Sequence, residues 1–353
     1  MYFGFFFASQ LCQEFLCVKT FFGSLGFFFT KSVWAVPEQI LAAELKTTIE
    51  SFRVEKIESN EFQGVDNVKI HYLAYRTKNP RGVIALSPGQ SEAAIKYIEL
   101  VYDLRDAGYD IFIIDHRGQG LSGRLLPDSV KSHVLRFDDY VEDFAQFVHK
   151  VVQPHRYAKS FLLAHSMGGT IAAEFLFRVP KIFSAVILTA PMLEIDTKGL
   201  GYTIAGPIAA VLSAIGRDDK YAPGQKPFDA KAPFVKNTLT SSEARFNLFR
   251  DMRIEHPELA VGGATVLWLK NALKFTLELR EKNNVFQVPT LLLQAEKDSW
   301  VKPGGQNEIC KKRSPKFCKV QIVKGSRHEI LMERDAIRDQ VLKTIDAFIA
   351  EVD

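Results

Sequence analysis

Cysteine is scarce in this chain, with four among 353 residues, and none falls in a C-x-x-C pair or beside a histidine cluster. Zinc ligands come in such spacings, so no metal is expected. A surplus of one charge is missing too: 45 basic residues face 41 acidic ones, a formal balance of +4. The charges are spread along the chain without the basic stripe of a nucleic-acid binder, and no nucleic-acid partner is expected. Long apolar runs are likewise absent. The two near the N-terminus are interrupted by Gln10, Gln13, Glu14 and Lys19, short of the roughly 18–20 apolar residues a spanning helix needs. Nucleotide loops are lacking as well: "DHRGQGLSGR" (115–124) has neither the lysine of a P-loop nor full G-x-G-x-x-G spacing, and no cofactor is expected. Asp115 and Arg117 are read there as residues that tie the loop down.

What is present divides the chain in two. Residues 1–35 are crowded with phenylalanine and nearly free of acid, unlike the rest. From about Val18 the segment reads as a secretory signal peptide, with Lys19 near its start, an apolar stretch from Phe21 to Phe29, and Val33 and Ala35 before a cleavage point. A valine codon can serve as a bacterial start. Residues 1–17 are therefore read as a doubtful extension and the mature chain as beginning near Val36; a membrane-adhering or disordered tail is the alternative. Cys12 and Cys17 lie in this segment, whereas Cys310 and Cys318 lie in the body. An oxidising compartment would let the second pair close a short loop, and two free thiols are the alternative.

From residue 50 the chain alternates strand-like and helix-like segments. "EFQGVDNVKIHYLAYR" reads as a hairpin of two antiparallel edge strands. "GVIALSPG", "YDIFIIDHRG", "SFLLAHS", "AVILTAP", "PTLLLQAEKD" and "KVQIV" are continuously apolar, as strands covered on both faces are. Between them lie segments with apolar residues at three- and four-residue spacing, closed by Gly or Pro. Strand and helix in alternation define an α/β domain, here residues 36–353. Residues 196 to about 285 break the rhythm with helical segments only, which reads as an inserted cap, since a structureless loop of that length is improbable in a compact domain.

Ser166 sits between the apolar strand "FLLA" and the helix "GGTIAAEFLF". The pattern is G-x-S-x-G with Ala164 at the first glycine. A sharp strand-to-helix turn requires very small residues two positions either side of the serine, and it exposes the hydroxyl at a helix N-terminus. A helix-capping serine is the plainer alternative. Two further residues favour a nucleophile. Asp298 ends the strand "PTLLLQAEKD", and His328 lies in the loop after "KVQIV", completing the chain order serine, acid, histidine at the sheet edge where sites of open α/β sheets collect. Glu296 is a substitute acid, with Asp298 preferred. His116 and His165 read as packing or hydrogen-bonding neighbours. The oxyanion donors expected by position are the backbone N–H groups of Met167, which follows the serine, and of Gln90, in the loop "SPGQSE" where Gly89 permits a tight turn.

Together "SPGQSE", "IIDHRGQGLSGRLL", "LLAHSMGG", "EARFNLFRDMRIEHPELAVGG" and the Asp298 and His328 segments resemble the bacterial lysophospholipases of the α/β-hydrolase fold, relatives of monoacylglycerol lipases. The likeness runs over roughly residues 50–350 and is narrowest at "GRLL" and "PELAVGG". It implies a mostly parallel eight-stranded sheet flanked by helices, with a helical cap. It also implies hydrolysis of a lysophospholipid acyl ester through an acyl-enzyme on Ser166, without cofactor. A monoacylglycerol lipase or other carboxylesterase is the alternative, and a peptidase or a silent binding protein stands further off. The apolar stretch "GLGYTIAGPIAAVLSAIG" (199–216) fits an acyl tunnel, a peripheral contact with a lipid surface, or a helix packed on the core. Members of that group lie on the cytoplasmic face of the membrane. The export-like N-terminus departs from this, so a periplasmic or secreted location and a peripheral inner-membrane one both stay open.

Overall fold

The computed structural model describes residues 35–282 and 285–352. The signal-peptide expectation and Cys12 and Cys17 lie outside them. Eight strands run in the order β1-β2-β4-β3-β5-β6-β7-β8: β1 (Ile57–Gln63), β2 (Lys69–Tyr75), β3 (Gly82–Ser87), β4 (Tyr109–Ile114), β5 (Ser160–His165), β6 (Ala185–Thr189), β7 (Thr290–Ala295) and β8 (Cys318–Val323). The β1–β2 and β2–β4 pairs are antiparallel and the others parallel. This is the eight-stranded, mostly parallel sheet that the sequence implies. The hairpin differs in one respect: only β1 is an edge, because β2 pairs with β4 on its other side.

The continuous apolar runs have a direct explanation in the packing. Successive residues of a strand point to opposite faces, and from β3 to β7 both faces are covered; β8, expected to be the same, is an edge strand with Lys319 and Ile322 exposed. Val83, Ala85, Leu162, Val186 and Leu292 enter one core cluster, with Phe144 and Phe175. Their neighbours Ile84, Leu86, Phe161, Ile187 and Leu291 enter the other, with Tyr97, Val341 and Ile345.

Among the described residues ten α-helices surround the sheet: α1 (Glu38–Glu44), α2 (Glu50–Lys56), α3 (Ile98–Leu104), α4 (Asp138–Phe147), α5 (Met167–Arg178), α6 (Tyr202–Ala214), α7 (Glu243–Glu255), α8 (Val266–Glu281), α9 (Pro303–Asn307) and α10 (Asp335–Val352). A π-helical turn over Leu45–Ile49 joins α1 to α2. Between β6 and β7 the described residues form α6, α7 and α8 and no named strand. Ser242 caps α7 by accepting from the Arg245 N–H, and Thr265 caps α8 through Trp268. Fully buried Arg245 fixes α7 to the body, pairing with Glu99 at 2.7 Å and Asp335 at 2.9 Å and donating to the Glu333 carbonyl at 2.8 Å. Cys310 and Cys318 form a disulfide, with Cα atoms 5.2 Å apart, that ties the segment after α9 to the start of β8.

Candidate active site

The turn from β5 into α5 puts Ser166 at φ 50°, ψ −117°, a left-handed conformation that side chains rarely adopt. Neighbouring strands hold it there: its N–H donates to the Thr189 carbonyl at 3.1 Å, and its carbonyl accepts from Gly169 and Met192, each at 2.9 Å. The small residues have a measurable reason. A Cβ at Gly168 would stand 2.1 Å from the Ser87 carbonyl oxygen, and one at Gly169 2.5 Å from Pro191 Cβ. Ala164 is fully buried, in the same core cluster as Met167 and Ile171.

The Ser166 hydroxyl makes no helix-capping bond, which disposes of the capping alternative. Instead Ser166 Oγ lies 2.8 Å from His328 Nε2, and His328 Nδ1 lies 2.8 Å from Asp298 Oδ2. All three side chains are buried or nearly so. Asp298 Oδ1 accepts the backbone N–H groups of Trp300 and Val301 at 2.8 and 3.1 Å. Burial pushes the Asp298 carboxyl up, but the bond from His328, its charge and these two N–H groups together hold it below the usual range. Glu296 is turned away, bonded to Lys324 and the Gly325 N–H. A hydroxyl bonded to an imidazole that is in turn oriented by a carboxylate is arranged to give up its proton to the imidazole while attacking a carbonyl carbon.

The N–H groups of Met167 and Gln90 have no acceptor among the described residues. Met167 opens the twelve-residue α5, so its N–H carries the positive end of the helix dipole. Gly89 serves closeness rather than turning: a Cβ there would meet Ser166 Cβ at 3.2 Å, and the left-handed residue of this loop is Ser91, at φ 59°.

The support beneath that loop was not legible in the sequence. Glu92 is buried and accepts from Lys96 Nζ at 2.6 Å, Tyr97 Oη at 2.7 Å and the Gly89 N–H at 2.5 Å. Its burial is outweighed by the Lys96 charge, with His165 and the two side-chain bonds adding to it, so its pKa falls to about 2. Lys96 also reaches Glu329 at 2.8 Å. Gln119, from the "DHRGQG" loop, donates to the Gly89 and Glu92 carbonyls at 2.7 and 2.9 Å. Asp115 and Arg117 do tie that loop down. Asp115 accepts from His71, Ala94 and Leu121, while Arg117 forks onto Asp143 at 2.6 and 2.9 Å. His165 sits against His328, ring centroids 5.0 Å apart, and is bonded through Nδ1 to Thr189. Burial drives its pKa down to about 4 despite nearby Glu92, and that of His116 to about 3, so both imidazoles are neutral at pH 7.

Ser166 and His328 open into a cavity of about 650 Å³ roofed by the segment between β6 and β7. Its walls are largely apolar, including Leu200, Ile208, Phe228, Val261, Trp268 and Leu269, with Arg253 and Lys226 among the few charged residues. Among the described residues no group of acidic, histidine or cysteine side chains could hold a metal, and no helix is long and apolar enough to cross a membrane.

Fold and site together define a serine hydrolase of the α/β-hydrolase fold. The chain belongs to the serine aminopeptidase S33 family, which it matches over residues 78–335. It is 37% identical over 321 residues to lysophospholipase L2 of Escherichia coli strain K12, covering 89% of this chain and 94% of that one. It is 30% identical over 316 residues to probable lysophospholipase L2 of Haemophilus influenzae, covering 88% and 96%. Among solved structures, a soluble variant of monoglyceride lipase from Saccharomyces cerevisiae in complex with a substrate analog superposes with a TM-score of 0.68 at 19% identity, over 84% of this chain and 96% of that one.

Proposed function

We propose that the protein is a lysophospholipase that cleaves the fatty-acyl ester of single-chain glycerophospholipids. The observation that carries the reading is the apolar cavity opening directly onto the Ser166 hydroxyl, large enough for a lipid chain, in a chain similar over 88–89% of its length to a lysophospholipase L2 and a probable lysophospholipase L2. Ser166 attacks the acyl carbonyl while His328 takes its proton, and Asp298 orients the imidazole and stabilises its charged form. The oxyanion is received by the free N–H groups of Met167 and Gln90. His328 then returns the proton to the leaving glycerol oxygen, and a water activated by the same imidazole releases the fatty acid.

The lipid partner is met at a membrane surface through α6. Leu200, Ile204, Val211 and Ile215 are each about half exposed or more, and the helix beneath them roofs the cavity. The protein acts outside the cytoplasm, a reading supported by the Cys310–Cys318 disulfide and by the leader-like N-terminus.

Mass spectrometry of the products, fatty acid from lysophosphatidylethanolamine and monoacylglycerol and arylamine from an aminoacyl-arylamide, tests the reading. Lysophospholipid cleavage is expected to exceed the other two. Ser166→Ala should lower it by about three orders of magnitude or more, abolish fluorophosphonate labelling and leave the melting temperature unchanged. Preferred cleavage of the arylamide would make the protein a peptidase, and preferred cleavage of monoacylglycerol a neutral-lipid lipase.

A further inference from the structure

The catalytic geometry uses none of the cations that line the cavity, Lys198, Lys226 and Arg253, and of these three Arg253 alone is not exposed. It stands near the end of α7, and its guanidinium lies between two aromatic rings, 4.2 Å from the Phe228 centroid and 4.4 Å from that of Phe249. Such cation–π contacts hold the group without using its N–H donors. Its one hydrogen bond within the protein runs from Nε to the Phe249 carbonyl, at 3.4 Å. Among the described residues no carboxylate lies within 4.0 Å of it, and its terminal N–H groups have no acceptor. The acids whose charge reaches it, Glu329 and Glu92, are both engaged by Lys96, at 2.8 and 2.6 Å. Burial lowers the Arg253 pKa to about 10, with Glu329 and Glu92 opposing, so the group is charged at neutral pH.

An arginine on the wall of an apolar cavity loses hydration, and the ring contacts and the single Nε bond leave its terminal N–H donors uncompensated. A planar fork of N–H donors is the complement of a phosphate, which it can grip through two parallel bonds. The cavity also holds Ser166, so a ligand filling it presents an ester at one end and meets a cation elsewhere along the wall. We infer that Arg253 binds the phosphodiester of the substrate head group, which makes the site selective for lysophospholipid over neutral monoacylglycerol. The inference rests on the hydrolase reading above and assigns it a head-group determinant.

The test compares Arg253→Met, which keeps length and stacking but removes the charge, and Arg253→Lys with wild type. The substrates are lysophosphatidylethanolamine and monoacylglycerol of the same chain. Arg253→Met should lower kcat/KM for the lysophospholipid about tenfold or more, mainly through KM, and change that for monoacylglycerol less than threefold, in line with loss of one charge-assisted contact. Arg253→Lys should recover part of the loss. A purely structural arginine, balancing the Glu92–Lys96–Glu329 cluster, would shift both substrates alike, and that result overturns the inference, as does no change on either. A second readout is independent of which lipid is cleaved: glycerophosphoethanolamine should inhibit p-nitrophenyl butyrate hydrolysis by wild type and fail to inhibit Arg253→Met. Equal inhibition of the two sinks the head-group contact alone, whereas a wild type inactive on lysophospholipid sinks the lysophospholipase reading itself.

Discussion

At the scale of single residues, the site depends on a turn that would not persist without its neighbours. A non-glycine residue at the Ser166 angles costs about 1–3 kcal/mol, offset here by the bonds to Thr189, Gly169 and Met192. Gly168 is where that arrangement has no slack. A methyl group there would stand 2.1 Å from the Ser87 carbonyl oxygen and 2.5 Å from that of Pro88, both backbone, so α5 and the end of β3 would have to part. The loop carrying Gln90 follows β3 directly and would move with it. Gly168→Ala is therefore expected to lower p-nitrophenyl butyrate turnover by about a hundredfold, the scale of one lost oxyanion donor, and to lower the melting temperature as well. Turnover within a few-fold of wild type would show that the two N–H groups tolerate displacement. Ser166, Asp298 and His328 were legible because each follows an apolar run and the three stand in a fixed chain order. The Glu92–Lys96–Glu329 cluster was not, since two of its members lie 233 positions or more from the third in sequence and no local spacing betrays such a contact.

Among the elements, strands were the more readable. Burial on both faces left an apolar run at five of them, β3 to β7, whereas helix positions depend on what they pack against. The segment from α1 to α2 is hard to read for this reason. Leu41, Leu45, Ile49 and Phe52 recur at four- and three-residue spacing, but polar residues separate them and the run borders the leader-like segment. The apolar stretch 199–216 kept three readings open, and α6 narrows them: only Ala205 and Ala209 are buried in it. Ile204, Val211 and Ile215 stand at 51%, 61% and 65% exposure, at spacings that share one side of a helix. Replacing these three by serine removes apolar surface from a lipid contact without touching the cavity wall. Vesicle co-sedimentation should fall about tenfold or more, equivalent to about 1.4 kcal/mol, while hydrolysis of the soluble p-nitrophenyl ester stays within twofold. Unchanged sedimentation would assign membrane contact to another face.

The molecule as a whole should respond to acid through its buried imidazoles. His165 and His116 have folded pKa values of about 4 and about 3, against an ordinary 6.5. A depressed folded value means that at pH between 6.5 and 4 the unfolded chain binds protons the native one refuses. Stability then rises with pH across that window and is lost as pH falls through it. At about 1.4 kcal/mol per pKa unit, His165 alone accounts for about 3 kcal/mol by pH 4. Asp103 works in the opposite sense: burial, opposed by Arg338, raises it to about 6, so its contribution grows as pH falls through that value. The wild-type curve therefore mixes both signs, and the informative quantity is a difference between variants. His165→Asn keeps a side chain able to meet Thr189 but cannot titrate. Urea unfolding at pH 7 and pH 4 should show wild type losing about 3 kcal/mol more than this variant over the interval. Equal losses would mean that the native state protonates His165 freely, and that the neutral ring against His328 is not a constraint the fold imposes.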